Sequence, residues 1–223
     1  MVRAQMRKFG LRAIQPKRFV PQTTDARHTV APSPNLLLDE RNAPQSPREV
    51  VVGDITYLPL LSGKWGYLAS WQGNFTKRVI SWAVEARMTE ELVVKAFRKA
   101  VVAGGVGIQT IVHTDRGSQY ASQSFRALLT ENKCRQSMSR RANCYDNAQA
   151  ESFFSRYKAE LLEGGAFADV VQARSETFSY IEGYYNRERR HSSLGYKTPD
   201  EFEREWKLKA KGKSSERIVS GKT

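Results

Sequence analysis

Three acidic residues stand where a carboxylate needs a reason. Asp54 lies in the middle of VVVGDITYLPL (50–60), a run of β-branched and aromatic residues in which a charge is costly without a partner or a metal. Asp115 follows the short apolar run TIVHT (110–114) and precedes a glycine turn at Arg116-Gly117. Glu151 belongs to NCYDNAQAESFFSRYKAELL (143–162). If the run ending at Thr114 pairs as a strand beside the run holding Asp54, two anions come side by side. A divalent cation is the natural resolution of their repulsion, with Glu151 as third ligand. Oxygen-only ligands suit Mg2+ or Mn2+. Zinc would want the histidine and cysteine that a chain with three scattered His and two Cys does not group. Two such ions on a basic protein point to phosphodiester chemistry, with in-line attack of one oxygen and departure of another. Sixty residues separate Asp54 from Asp115 and thirty-five separate Asp115 from Glu151. Among 23 acidic residues that spacing means little by itself, and its force comes from the element under each acid.

Those elements are readable. Val50–Leu60, Trp65–Trp71 and Lys77–Val84 read as three strands joined by hairpin-length turns at Gly63-Lys64 and Asn74–Thr76. Thr89 with Glu90 and Glu91 opens a helix through about Ala103, with Leu92, Val93, Ala96, Phe97 and Ala100 on one face. Thr110–Thr114 is a fourth, buried strand. Ser122 caps a helix that turns Phe125, Leu128 and Leu129 inward, and Cys134–Met138 is a fifth strand. On a helical wheel Asn147, Ser155 and Lys158 fall near the meridian of Glu151, while Ala150, Phe153, Phe154, Tyr157 and Leu161 gather about a third of a turn away. One stripe packs and the other presents a carboxylate. Val170–Asn186 is a further helix with Phe178, Ile181, Tyr184 and Tyr185 as its apolar residues. The order predicts an α/β mixed five-stranded sheet flanked by helices, not a doubly wound one.

Charge divides the chain. Residues 1–48 carry nine Lys/Arg against three Asp/Glu, and residues 204–223 carry seven against two, out of a net charge of +13. Basic ends around a nearly neutral body suit a nucleic-acid binder, or else are solubilising tails. The expected domains are a basic N-terminal part (1–47), a catalytic core (48–203) and a basic C-terminal tail (204–223). Within the first, RAQMRKFGLRAI reads as a short helix stopped at Gly10. Pro16 to Pro47 reads as an extended linker, with Asn35–Asp39 a short turn or strand. No apolar run reaches the ~20 residues that span a membrane, and no secretory signal is visible, so a reduced cytoplasmic setting is expected.

The words GDITY around Asp54, HTDRGSQY around Asp115, CYDNAQAESFF around Glu151 and YYNRERRHSSLGYKTPDEF (184–202) resemble the catalytic half of insertion-sequence transposases of the IS-three family, within the retroviral-integrase superfamily. The resemblance runs from about Arg7 to Phe202. It implies a ribonuclease-H-like fold, a catalytic and metal-binding triad of Asp54, Asp115 and Glu151, and Mg2+- or Mn2+-dependent cleavage and strand transfer at the ends of a mobile DNA element. Water or a DNA 3′-hydroxyl is the implied nucleophile, without a covalent protein–DNA intermediate. It also implies a homo-oligomer bridging DNA ends, a nucleoid-associated location, and an upstream DNA-binding subunit or fusion, since the N-terminal part resembles the end of a helical DNA-binding module, most of which is expected to lie elsewhere. Lys158 resembles a family lysine thought to contact the DNA end; the alternative is a salt-bridged surface lysine. Asn143 and Asn147 are candidates to orient the loop or touch DNA. Arg187, Arg189, Arg190 and His191 form either a phosphate-binding patch or a charged helix terminus. His113 is read as structural, on the strand face opposite Asp115, and Arg116 and Gly117 as shaping the turn. Relatives usually carry aspartate at Gly73 and glycine at Ser81. Two rival readings stay open: a nuclease on the same fold, which cuts without joining, and a non-enzymatic DNA-binding regulator or inactive remnant.

Overall fold

The computed structural model describes residues 2–11, 31–140 and 144–220. Helix α1 (Val2–Lys8) is followed by Gly10 at φ +67°, the left-handed stop expected there. Five strands form one sheet: β1 (Val50–Pro59), β2 (Trp65–Gly73), β3 (Val79–Glu85), β4 (Ile111–Thr114) and β5 (Arg135–Met138), in the order β3-β2-β1-β4-β5. The first three are an antiparallel meander, and β4 and β5 add in parallel. Between them come α2 (Glu90–Val102), the one-turn α3 (Ser118–Ala121) and α4 (Gln123–Glu131). After β5 follow α5 (Ala148–Tyr157), α6 (Val170–Phe178) and α7 (Pro199–Ser220). The mixed, helix-flanked sheet is the one the order of elements predicts.

Alternation along the strands sorts the side chains onto two faces. Val51, Ile55, Ala69, Trp71 and Val112 form one core with Phe97 of α2, Tyr120 of α3 and Phe125 of α4. Trp71 stacks on Phe125 at 5.6 Å and meets Phe97 edge-on at 5.1 Å. Gly53 makes room for it, since a Cβ there would lie 2.2 Å from the indole ring. On the other face Val50, Val52 and Ile111 pack with Ala150 of α5, and Leu58, Leu68 and Val84 pack with Phe153, Phe154 and Tyr157 of α5 and with Ile181 and Tyr185. The α5 apolar stripe is therefore buried as its spacing predicts.

Several local readings change. Helix α2 begins at Glu90, but Thr89 makes no side-chain capping bond; its hydroxyl pairs with the Glu91 carboxylate instead. Helices α5 and α6 each continue into a π-helical stretch, Lys158–Leu162 and Ser179–Tyr185. Residues 31–47 are not a free linker. The Leu36 N–H donates to Ser137 Oγ (2.9 Å), the Met138 N–H donates to the Pro34 carbonyl (3.3 Å), and Leu36 and Leu37 pack against the Val50–Ala150 cluster. That segment covers the open edge of β5, where unpaired strand groups would otherwise be exposed. The turn or strand expected at Asn35–Asp39 is a 3-10 turn, Leu36–Leu38. The expected C-terminal tail, from 204, continues helix α7, whose first turns are held to the β2–β3 turn by Arg78 paired with Asp200 (2.7 Å) and by Phe75 against Phe202 and Trp206.

Candidate active site

Strand register brings the two aspartates together. β1 and β4 run parallel with Val50 opposite Ile111, Val51 opposite Val112 and Val52 opposite His113. Continuing that register two residues further brings Asp54, within β1, beside Asp115, the residue just past the end of β4, on neighbouring runs of chain about 4.8 Å apart and on the same face. That face is the one on which Ala150 of α5 packs, and Glu151 is the next residue, in the first turn of the helix. Asp54 is partly buried and Glu151 exposed.

The three carboxylates feel one another. Burial pushes the Asp54 carboxyl well above the usual carboxylate range, the Asp115 charge pushes it further, and Glu151 adds a smaller push; the Ile55 N–H and the Lys158 ammonium oppose them. Glu151 is raised by burial and then by Asp115. Lys158, partly buried, is lowered by burial and raised by Asp54. The site thus has an excess of negative charge that one nearby lysine does not neutralise. Among the described residues no three acidic, histidine or cysteine side chains are drawn tightly enough together to cage an ion. The donor set, three oxygen-bearing groups that destabilise one another's charge, nonetheless fits a hard divalent cation.

The turn after β4 is built by the residues assigned to it. Asp115 Oδ1 accepts from the Gly117 N–H (3.0 Å), and Arg116 Nε donates to the Ser139 carbonyl (2.7 Å). His113 is structural, but for a different reason than its expected face. Two residues from Asp115, it shares the same side of the sheet, fully buried, with Nδ1 2.8 Å from Ser137 Oγ and Nε2 3.1 Å from Ser139 Oγ. Ser81 Oγ donates to the Ala96 carbonyl (2.8 Å), tying β3 to α2.

The candidate DNA-contact residues separate. Lys158 faces Asp54. Asn143 lies outside the described residues. Asn147 is 6% exposed, too buried to meet a ligand from solvent. Arg187 and Arg190 are exposed, Arg190 Nη1 donating to the Tyr196 carbonyl (3.0 Å). Arg189 is instead locked to Glu160 through bonds of 2.7 to 3.0 Å, and His191 is 4% exposed, edge-on to Tyr185 at 5.1 Å. Burial, with Arg189 and Arg156 nearby, pushes the His191 imidazole down to about 4. The four-residue patch therefore reduces to two exposed arginines. Sequence reasoning missed Tyr120, a buried phenol within electrostatic reach of both aspartates. Its signal was its place in the word HTDRGSQY.

Two family models, each described as an integrase core domain, match residues 44–144 and 132–199. The chain is 41% identical over 202 residues to the transposase InsF for insertion sequence IS3A of Escherichia coli, covering 91% of this chain and 69% of that one. It is 40% identical over 200 residues to the insertion element IS600 uncharacterized 31 kDa protein of Shigella sonnei, covering 89% and 72%. The chain belongs to the IS3-type insertion-sequence transposases. These carry an integrase core and are polynucleotidyl transferases of the DDE type. A transposase for insertion sequence element IS904 of Lactococcus lactis is 40% identical over 171 residues, covering 77% and 67%. The fold agrees with two solved structures. The HTLV-2 integrase catalytic core domain in complex with magnesium matches at TM-score 0.54 and 18% identity, covering 71% of this chain and 98% of that one. A simian T-cell lymphotropic virus intasome chain matches at TM-score 0.58 and 16% identity, covering 82% of this chain and about three fifths (61%) of its own. Both are retroviral integrase assemblies, and the shared architecture is the ribonuclease-H-like fold.

Proposed function

We propose that Asp54, Asp115 and Glu151 are the catalytic carboxylates of this transposase and hold Mg2+ or Mn2+, as two ions, while it cleaves and joins DNA at the ends of an insertion sequence. The observation that carries the reading is the parallel β1–β4 register, which sets Asp54 and Asp115 side by side under the helix bearing Glu151, with the Asp115 charge helping to push both the Asp54 and the Glu151 carboxyls up. The ions supply activation of the attacking oxygen and stabilisation of the leaving one. The protein's own part is electrostatic and positional. β1 and β4 fix the two aspartates, α5 sets Glu151 over them, and Lys158 offsets part of the Asp54 charge at the position where a DNA phosphate would approach. Arg187 and Arg190 extend that positive surface.

In this reading residues 48–203 with the docked segment 31–47 form the catalytic core, and α7 carries the basic end beyond it. The partners are DNA, further copies of this chain and an upstream DNA-binding subunit or fusion. No helix among the described residues is long and apolar enough to cross a membrane, and the site of action is the bacterial cytoplasm, on the nucleoid.

Strand transfer with a labelled DNA end in Mg2+, comparing the protein with Glu151→Gln, tests the assignment. Joined products that fall by on the order of 10³-fold in the variant are expected, the scale of losing one electrostatic partner from a catalytic centre. Equal joining by both proteins would refute the role of Glu151. Cleavage without joining by the unaltered protein would instead favour a nuclease.

A further inference from the structure

Asp54 is held by strand pairing and Asp115 by the turn that closes β4, but Glu151 rides on a helix whose start has no side-chain cap. Asn147 stands at the N-cap of α5 and makes no side-chain bond to the first turn. A 3-10 turn, Cys144–Asn147, runs directly into the helix, so its start is set by backbone and by contacts from outside and not by a side-chain cap. Glu151 itself is exposed. Just before the helix Asp146 accepts from Asn35 and Arg140, and within it Ala150 packs on Val50, Val52 and Ile111; a further hold comes from across the molecule, through Gln149.

Gln149 Nε2 donates to Gln72 Oε1 (2.9 Å) and to the Gly73 carbonyl (3.1 Å), and its Oε1 accepts from Lys77 Nζ. Both donors and the acceptor of one amide are thus used on a single turn of chain. Gln72 continues the line, its Nε2 donating to Tyr185 Oη (2.8 Å) and to the Lys77 carbonyl (2.8 Å). Lys77 Nζ also donates to the Asn74 carbonyl (2.7 Å). The supports are rigid. Gln72 is buried at a β-bulge, where the β2–β3 register shifts between Trp71 and Gln72. Lys77 has a left-handed backbone, φ +59°, which fixes the turn. Tyr185 is buried beside Asn186, whose amide bonds both the N–H and the carbonyl of Val79 at 2.9 Å. A polar line therefore runs from the β2–β3 turn to the first turn of α5 and on to the π-helical stretch after α6.

We infer that Gln149, oriented by Gln72 and Lys77, is a positioning residue that fixes the first turn of α5 and thereby the distance of Glu151 from the two aspartates. The inference rests on the reading of Glu151 as a catalytic carboxylate. Gln149 does not touch the reacting groups and acts only through the backbone it anchors. A carboxylate at that position would face the Gln72 Oε1 and the Gly73 carbonyl, so the role needs an amide. Methionine keeps the length and bulk of the side chain and removes all three polar contacts.

The test uses the full chain with Gln149→Met, Lys77→Met, the double variant and Glu151→Gln. Amide hydrogen exchange is followed along α5 and β1, Mn2+ binding by electron paramagnetic resonance, and strand transfer against Mg2+ concentration. Gln149→Met is expected to exchange faster in residues 150–154 with β1 unchanged. Mn2+ affinity and strand transfer at low Mg2+ should fall about 10- to 100-fold, the usual effect of removing an outer support of a metal site, with recovery at saturating metal. Lys77→Met should act in the same direction, and the double variant should be no worse than the more severe single one, because both cut the same line. Unaltered α5 exchange and metal affinity in Gln149→Met and Lys77→Met would overturn the inference. So would losses that accompany a general fall in melting temperature and ignore metal concentration. If Glu151→Gln itself binds Mn2+ and joins DNA normally, the catalytic reading fails and the positioning role falls with it. If Glu151→Gln is dead while Gln149→Met is normal, only the positioning role is wrong.

Discussion

The two faces of the sheet are built from opposite materials. The face under α2 and α4 is closed by hydrocarbon and rings, with Trp71 gripped among Phe97, Tyr120 and Phe125. The face under α5 mixes rings with buried amides, hydroxyls and an imidazole, among them Gln72, Asn186, Ser137 and His113, and carries three carboxylates, two of which, Asp54 and Glu151, are pushed up by burial and by the Asp115 charge. Apolar burial is non-directional and forgiving, whereas a polar network holds its members at fixed angles and is costly when incomplete. The first face supplies stability and the second supplies geometry. A catalytic centre that gathers like charges needs both, since its own electrostatics oppose folding.

Substitutions matched across the faces should therefore separate stability from activity. Trp71→Ala is expected to cost ~3–5 kcal/mol, the range for emptying a large aromatic site, read as a lower urea midpoint at unchanged slope. Asp54→Asn should do the reverse. Burial and the neighbouring charges already disfavour the Asp54 carboxylate, so the metal-free variant should melt no lower than the parent, and above it at neutral pH, while strand transfer is lost. The sign follows from proton linkage. A carboxyl whose folded pKa is raised binds more protons folded than unfolded, so its contribution to stability declines as pH rises through the interval between the two values. A lower melting temperature for Asp54→Asn would show that the carboxylate is a structural anchor and the contrast between faces is false.

Within the α5 face, His191 offers a smaller and opposite pH effect. It is 4% exposed, and its imidazole is pushed down from 6.5 to about 4 by burial and by Arg189 and Arg156. Between those values the unfolded chain binds the proton and the folded protein does not. Stability should fall on acidification from pH 6.5 towards 4, by up to about 1.4 kcal/mol per pH unit from this one group. His191→Leu should flatten that part of the profile while leaving stability near pH 8 little changed. An identical acid limb in both proteins would place the proton-sensitive contacts elsewhere.

How much of this was legible in the sequence depends on the kind of pattern involved. The strands carrying Asp54 and Asp115 were readable because short apolar runs bounded by turns have few other uses, and their parallel pairing then determines the site. The α5 stripe was readable because it keeps one helical period. Across Ser179–Tyr185 that period fails. A π-helical stretch takes more residues per turn, so Phe178, expected among the apolar residues of this helix, is 59% exposed while Ile181 and Tyr185 are buried. The docking of Pro34–Leu37 on β5 escaped notice because prolines signal irregular chain and say nothing about what it lies against. The helical tail was hidden by its charge. Gln149 was missed because its partners, Gln72 and Lys77, are distant in sequence and no local spacing marks an amide that bonds across the fold.

The smallest predicted effect tests the divided basic patch. Arg187 is exposed, while Arg189 forms a bidentate pair with Glu160, which also accepts from Tyr180 Oη (2.8 Å). A guanidinium already satisfied by a carboxylate has little left to offer a phosphate. Arg187→Ala should weaken binding to a DNA end modestly and reduce the slope of log affinity against log salt by about 0.9, the counterions of one phosphate contact. Arg189→Ala should leave that slope unchanged and lower thermal stability instead, because Glu160 and Tyr180 lose a partner in a partly buried cluster. If Arg189→Ala alters the salt slope as much as Arg187→Ala does, the Glu160 pair opens when DNA binds, and the four residues act as a single surface after all.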